Sequence, residues 1–447
     1  MASTACMSAA KHAVSSVREG VLFCGHGAMP NIRGGIIVKE NTKQAHVDTD
    51  YSLESVPKTA RKGFLPMFFI MLGFTFFSAS MSVGAKLGNG LDLTGFMAAV
   101  LAGGVLLGAY TGVLGYIGSE TGLSLDLLAR RSFGTKGSYL PSALISFTQI
   151  GWFGVGAAMF AVPAAELLHV SPILLVAAAG VCMTASAYFG IKGLEIVSYV
   201  SVPLIAVLGI YSMVTATAQG GGLEAIFNRS AGSITVFGGI GLVIGSFVSG
   251  GTATPNFTRF AKTNRTAIIS TVVAFLLGNT LMFAFGAVGG AFTGKDDIFY
   301  VMIAQGLAIP ALIVLGANIW TTNDNALYTS GLGLSNITKV RKRPMVLVAG
   351  VVGTVTALWL YNNFVGWLSF LNATLPPVGA LIALDFFLHR DAYKEGSEPT
   401  ERFNWGSIAG VVVGALVGNY LPFGIASINA MIAACACYLL AGLFKKK

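Results

Sequence analysis

The sequence predicts an all-α integral membrane protein of twelve transmembrane helices, and three observations carry that prediction. First, 54% of the residues are hydrophobic and only 11% are charged, against roughly 25% charged in an ordinary soluble domain. Second, a mean hydropathy of +0.73 is spread over long continuous apolar runs of the sort that cross roughly 30 Å of hydrocarbon with about 20 residues. A membrane β-barrel would instead show alternating segments of about ten residues. Third, glycine, serine, threonine and proline interrupt two of the runs, five spans apart. The 57 glycines suit the same class, because small residues let membrane helices approach closely.

Taken in order, residues 1–60 are polar and weakly patterned, lack a convincing signal-peptide core, and are expected to form a disordered cytoplasmic tail. The remainder, 61–447, forms one domain. Its apolar spans fall near 65–89, 93–118, 137–163, 171–190, 194–217, 234–258, 266–291, 298–330, 344–362, 364–389, 404–420 and 422–444. Lysine and arginine favour every second connection: Lys58, Arg61 and Lys62, then Arg130, Arg131 and Lys136, Lys192, Arg259, Lys262 and Arg265, Lys339 to Arg343, Arg390, Lys394 and Arg402, and Lys445 to Lys447. The opposite connections hold only Arg229 and Lys295, with Lys86 near the end of the first span. Cytoplasmic loops carry such an excess, so both termini are expected inside. The +9 net charge is scattered in short clusters rather than along one stripe, which argues against nucleic acid. The five cysteines include no Cys-x-x-Cys pair and read as small apolar packing residues.

The first span contains Gly73-Phe-Thr-Phe-Phe-Ser-Ala-Ser-Met-Ser-Val-Gly84 and the sixth Gly245-Ser-Phe-Val-Ser-Gly-Gly-Thr-Ala-Thr-Pro255. Freed backbone at membrane depth is tolerated only where it lines a cavity or is buried in protein. Interrupted helices at corresponding places in two halves point to an inverted repeat with a binding site between them. The expected repeats cover about 65–217 and 234–389, five helices each, with accessory helices at about 404–444.

Three polar clusters lie inside the spans. In span 3, Gln149 and Trp152 sit three apart on one helix face, so an indole can stack on a flat heterocycle while the amide offers a donor and an acceptor. The same pair could equally be packing and interhelical glue. Span 6 supplies Ser246, Phe247 and Ser249; if it unwinds there, Phe247 becomes a second aromatic wall, and if not, the stretch is a glycine-rich helix contact. Span 8 reads Asn318-Ile-Trp-Thr-Thr-Asn-Asp-Asn-Ala-Leu-Tyr328. On a regular helix Asn318, Thr321, Thr322 and Asn325 share a face and Asn323 looks elsewhere. Neutral oxygens of this kind suit a weakly held monovalent cation better than a transition metal, although back-bonded threonines are an equally ordinary reading. Asp324 is either a proton relay or a structural hydrogen-bonding group. No nucleophile elbow, phosphate loop or His-Glu-x-x-His motif is present, so an enzyme is not expected. A channel's ring of pore-lining charge has no candidate either.

The stretches Leu72-Gly-Phe-Thr-Phe-Phe-Ser-Ala-Ser-Met81, Leu128-Ala-Arg-Arg-Ser-Phe-Gly134, Gln149-Ile-Gly-Trp-Phe-Gly-Val-Gly156 and Asn318 to Tyr328 resemble the nucleobase-cation symporter family. With Leu358-Trp-Leu-Tyr-Asn-Asn-Phe-Val-Gly-Trp367 the likeness narrows to its bacterial, cytosine-carrying members. It runs from about Val56 to the C-terminus. The resemblance implies a leucine-transporter-like fold in the bacterial inner membrane and sodium-coupled symport of cytosine by alternating access. The alternative reading is a proton-coupled or sodium-coupled permease for another nucleobase or related heterocycle: uracil, a purine or a hydantoin. It further implies that Trp152 and Phe247 sandwich the base, with Gln149, Ser246, Ser249, Asn318 and Asn323 as hydrogen-bonding candidates. Sodium would be held by the carbonyls of Gly73, Phe76 and Asn318 and the hydroxyls of Thr321 and Thr322. No obligate protein partner is inferred.

Overall fold

The computed structural model describes residues 50–229, 232–394, 396, 397, 399 and 401–445; the expected tail over 1–49 lies outside them. The described chain is helical throughout its spans. The first is a bent pair, α1 (Phe64–Thr75) and α2 (Ser78–Gly90). Next come α3 (Leu93–Thr121), α4 (Leu125–Ser132), α5 (Tyr139–Leu168), α6 (Pro172–Tyr188), α7 (Ile191–Gly220) and α8 (Leu223–Phe227). The sixth span is α9 (Val236–Thr252) with α10 (Pro255–Thr258). The seventh is α11 (Asn264–Val273) with α12 (Asn279–Thr293), joined by a π turn over Ala274–Gly278. Then follow α13 (Ile298–Ala304), α14 (Ala308–Thr338), α15 (Lys342–Asn362), α16 (Phe364–Thr374), α17 (Pro376–Leu388), α18 (Trp405–Tyr420) and α19 (Ala426–Lys445).

Eight helices are long and apolar enough to cross a membrane, and the α1–α2 pair makes a ninth. The shorter apolar α6 and α18 and the 31-residue, polar α14 bring the spans among the described residues to twelve. Three boundaries depart from expectation for backbone reasons. The expected span 298–330 is two helices, because Gly306 takes a left-handed φ of 77° and α14 then runs on to Thr338. The expected span 364–389 divides at Leu375, where Pro376 and Pro377 follow and proline supplies no N–H to the preceding turn. Span 6 does not unwind over Ser246–Gly251, which remains helical; it is interrupted at Ala253 and Thr254, ahead of Pro255. The hydroxyls of Ser246 and Thr252 donate back to the carbonyls of Val243 and Val248 within that helix.

The broken first span is held by close backbone contact. Gly84 and Gly88 of α2 face the backbone of Phe283 and Ala287 of α12, while Gly286 and Gly290 face Met81 and Ala85. A side chain at any of these positions would collide with the partner helix, so small residues four apart set the separation.

At the lysine- and arginine-rich end, residues 50–60, expected as the close of the tail, pack onto the bundle instead. Charge pairing is the reason. Asp50 meets the Lys342 ammonium at 2.9 Å, with both side chains almost fully buried. The fully buried Arg259 donates to the carbonyls of Asp50 at 2.7 Å and Tyr51 at 2.8 Å, and to the Tyr328 hydroxyl at 3.1 Å.

Candidate functional site

The break in the first span builds the site. Phe77 is extended, at φ −128° and ψ 128°, so α1 and α2 meet at 50° and leave backbone groups at the break that the helix itself does not pair. Asn318 of α14 bridges the gap: its Oδ1 accepts from the Ser78 N–H at 2.9 Å and its Nδ2 donates to the Phe76 carbonyl. Expected as a hydrogen-bonding group for the base, the Asn318 amide is therefore engaged on the broken helix, and it is absent from the lining of the cavity described next.

That cavity, of about 20 Å³, is lined by Phe74, Phe77, Gln149, Trp152, Ser246, Phe247, Ser249, Gly250, Thr322, Asn323 and Ala326. It brings together six of the seven residues expected at the base. Trp152 donates its indole N–H to the Ser249 hydroxyl at 2.8 Å, which fixes the ring plane and leaves the Ser249 proton free to donate elsewhere. The Phe77 ring meets Trp152 edge-on at 5.7 Å, and Phe74 and Phe275 meet Phe247 edge-on at 5.2 and 5.4 Å. Both intended walls are thus braced by other aromatics. Gln149 is 2% exposed, and its Nε2 has no hydrogen-bond partner. A buried amide donor left without a partner costs about 1–3 kcal/mol, so this group fits an acceptor supplied by a ligand.

Asn323 lies on the cavity after all, contrary to its place on an ideal helical wheel. Its Nδ2 donates to the Phe153 carbonyl at 3.1 Å and towards the Met183 sulfur at 3.2 Å, while its Oδ1 is buried without a partner. An unpaired donor on Gln149 and an unpaired acceptor on Asn323 suit a planar ring carrying both kinds of group on its edge.

The candidate cation ligands gather on the other side of the break. The Thr322 hydroxyl reaches the Phe76 carbonyl at 3.5 Å. Thr321 shares a 2.5 Å hydrogen bond with Ser201 and also donates to the Ala317 carbonyl. A Cβ on Gly73 would sit 3.0 Å from the Thr321 methyl and against Ser198. Gly73, Phe76, Thr321 and Thr322 are thereby neighbours, and α7 adds Ser198 and Ser201, which sequence reasoning missed although they are hydroxyls three apart in an apolar span. Phe74 and Phe77 were missed too, since a phenylalanine in a membrane helix gives no signal of its own. The donors are neutral oxygens, and among the described residues no three His, Cys, Asp or Glu side chains converge on one point. That chemistry fits a monovalent ion. Asp324 points away from the site: it accepts from Ser186 of α6 at 2.7 Å, and Ser186 in turn accepts from Trp320.

Residues 55–442 match the family described as permeases for cytosine/purines, uracil, thiamine and allantoin. The chain belongs to this family. Within it, the cytosine permease of Escherichia coli K12 is 50% identical over 395 residues, 88% of this chain and 94% of that permease. In three dimensions the family member resembles Mhp1, a nucleobase-cation-symport-1 transporter in a closed conformation with bromovinylhydantoin bound, at a TM-score of 0.75 and 18% identity. That match covers 87% of this chain and 94% of Mhp1. A Na⁺-coupled sialic acid symporter follows at 0.67 and 14% identity, covering 89% and 93%. These likenesses establish the leucine-transporter-like fold of two inverted five-helix repeats with two accessory helices. The family member is a multi-pass transport protein for nucleobases rather than an enzyme.

Proposed function

We propose that this permease carries cytosine into the cytoplasm of a bacterium, across the inner membrane, by sodium-coupled symport. The observation that carries the substrate reading is the unpartnered Gln149 Nε2 in a cavity walled by Trp152 and Phe247. A pyrimidine ring stacks between the two aromatics, its carbonyl accepts from Gln149, and its amine donates to Asn323. The 50% identical cytosine permease supports the choice of base. Sodium would sit at the break, held by the Phe76 carbonyl and the Thr321 and Thr322 hydroxyls, with the Gly73 and Asn318 carbonyls completing the set; the Na⁺-coupled sialic acid symporter with the same fold supports the ion. The two repeats, about 65–217 and 234–389, would move against one another to expose the site alternately, and the excess of lysine and arginine in every second connection supports cytoplasmic termini.

Uptake of radiolabelled cytosine into proteoliposomes, with and without an inward sodium gradient at constant pH, tests this reading. Sodium is expected to drive accumulation. Accumulation that follows a pH gradient and ignores sodium would replace the ion, and uptake of uracil or a purine in preference to cytosine would replace the base.

A further inference from the structure

A second cavity, of about 710 Å³, opens at the end of the bundle opposite the basic one. Lys86 of α2, Asp296 and Asp297 of the loop before α13, Tyr361 of α15 and Trp367 of α16 are among its lining residues. The inner cavity has room for little more than one water molecule. A six-membered ring arriving from this side therefore meets a closed inner site and a spacious outer one, with a wall between them. Part of that wall is the Trp367 indole, whose ring carbon Cε2 lies 2.8 Å from where a Cβ on Gly151 would be; Gly151 adjoins Trp152 in the chain.

The outer lining has the chemistry to hold such a ring. Asp297 caps α13, with its Oδ1 accepting from the Phe299 N–H at 2.9 Å, and its Oδ2 accepts from the Tyr361 hydroxyl at 3.5 Å. An ionised carboxylate has about four acceptor positions, so room remains for a further donor. The Trp367 Nε1–H is buried with no partner among the described residues, and its ring stacks with Phe370 at 6.0 Å. We propose that this cavity is a recruitment site for an aminopyrimidine, held by stacking on the aromatic wall and by the Asp297 carboxylate accepting its exocyclic amine. The proposal rests on the reading of the inner site as a base site and adds an earlier stage of selection. A ring with two carbonyls in place of carbonyl and amine would turn oxygen lone pairs towards Asp297 and be turned away before reaching Gln149.

Burial pushes the Asp297 pKa up to about 6, so the carboxylate charge is lost as pH falls through that value. The charged and titratable groups around it are Lys86 from α2, the adjacent Asp296, Tyr361 from α15, Tyr300 from α13 and, through Tyr300, Glu166 from α5.

The test is Asp297→Asn, because asparagine is as good an N-cap as aspartate and keeps α13 intact while removing the charge. Initial-rate uptake of cytosine is expected to show a KM raised about tenfold, with equilibrium cytosine affinity at the inner site shifted less than twofold and Asp297→Glu recovering most of the KM. The parent KM should rise as pH falls from 7 to 5, and that rise should vanish in Asp297→Asn. Saturation-transfer NMR adds a direct view: cytosine should still contact Trp152→Ala protein, and adding Asp297→Asn should abolish that contact. An unchanged KM, or KM and equilibrium affinity moving together, overturns the outer site. If the parent binds no cytosine at all, the inner reading has failed instead, and the two failures are thereby told apart.

Discussion

The two ends of the bundle are closed by opposite means. At the basic end Asp50, Lys342 and Arg259 are buried almost completely, and charges that would ordinarily be solvated tie the segment before α1 to α10, α14 and α15. At the far end Lys86, Asp296 and Asp297 line a cavity of about 710 Å³, and the Trp367 indole laid against Gly151 forms part of the wall towards the inner site. Buried ion pairs are costly to open because each partner is left unpaired in a low-dielectric setting, whereas an aromatic contact opens without stranding a charge. The difference teaches that the two ends are built from different interactions, so substitutions can disturb one without the other.

The largest expected effect comes from the basic end. Lys342→Met strands the Asp50 carboxylate, and breaking a buried pair in this way costs about 3–5 kcal/mol; thermal unfolding in lipid nanodiscs should show a marked loss. Replacing both members, Asp50→Leu with Lys342→Met, should recover much of it, since apolar substitutes for a buried pair are often neutral. A single variant that melts with the parent would show that the pair does not hold this end. The basic end would then be no more firmly closed than the other.

Between the two ends, Trp152→Ala removes one wall of the inner cavity. Stacking of a base on an aromatic is worth roughly 1–3 kcal/mol, so cytosine affinity should fall about ten- to a hundredfold in protein that remains folded. Binding equal to the parent would remove α5 from the site. Gln149→Leu nearly conserves volume and leaves a ring acceptor unpaired, at about 1–3 kcal/mol. It should also erode discrimination between cytosine and uracil; unchanged discrimination would show that Gln149 does not read the ring.

The smallest expected effect on base binding belongs to Thr322→Ala. At saturating sodium, cytosine affinity should be nearly that of the parent, while the sodium concentration needed to reach it rises. By linkage, sodium and cytosine must raise one another's affinity by the same factor. A cytosine titration across sodium concentrations at fixed pH and ionic strength checks this, and a flat curve in the parent would retire the sodium site altogether. Thr321→Ala should do less, because the Thr321 hydroxyl is already shared with Ser201.

Much of this molecule was legible from residue order. The break at Phe76 and Phe77, and the polar run from Asn318 to Tyr328, stand out because polar and small residues at membrane depth are expensive unless they line something. Gln149 and Trp152 were legible for the same reason, being three apart on one helix. Ser198 and Ser201 were less so, since a serine in a membrane helix commonly bonds to its own backbone, and only packing against Gly73 and Thr321 distinguishes these two. The helical wheel misled for Asn323, because a cavity edge is set by where α5 and α9 lie around α14 rather than by α14 alone.

The sequence by itself determined the fold class, the span count and the position of the weak backbone in the first span, because hydrophobic run length and the cost of unpaired N–H and C=O groups in hydrocarbon act locally along the chain. Tertiary structure decided the rest. It directed the Asn318 amide to the broken helix, kept Ser246–Gly251 helical, and drew residues 50–60 out of the expected tail onto the bundle. The first and the last depend on partners distant in sequence: Asn318 on Phe76 and Ser78, Asp50 on Lys342. Hydrogen bonds and ion pairs act over about 3 Å, so no reading of one segment can choose between its own backbone and a partner that only folding brings near.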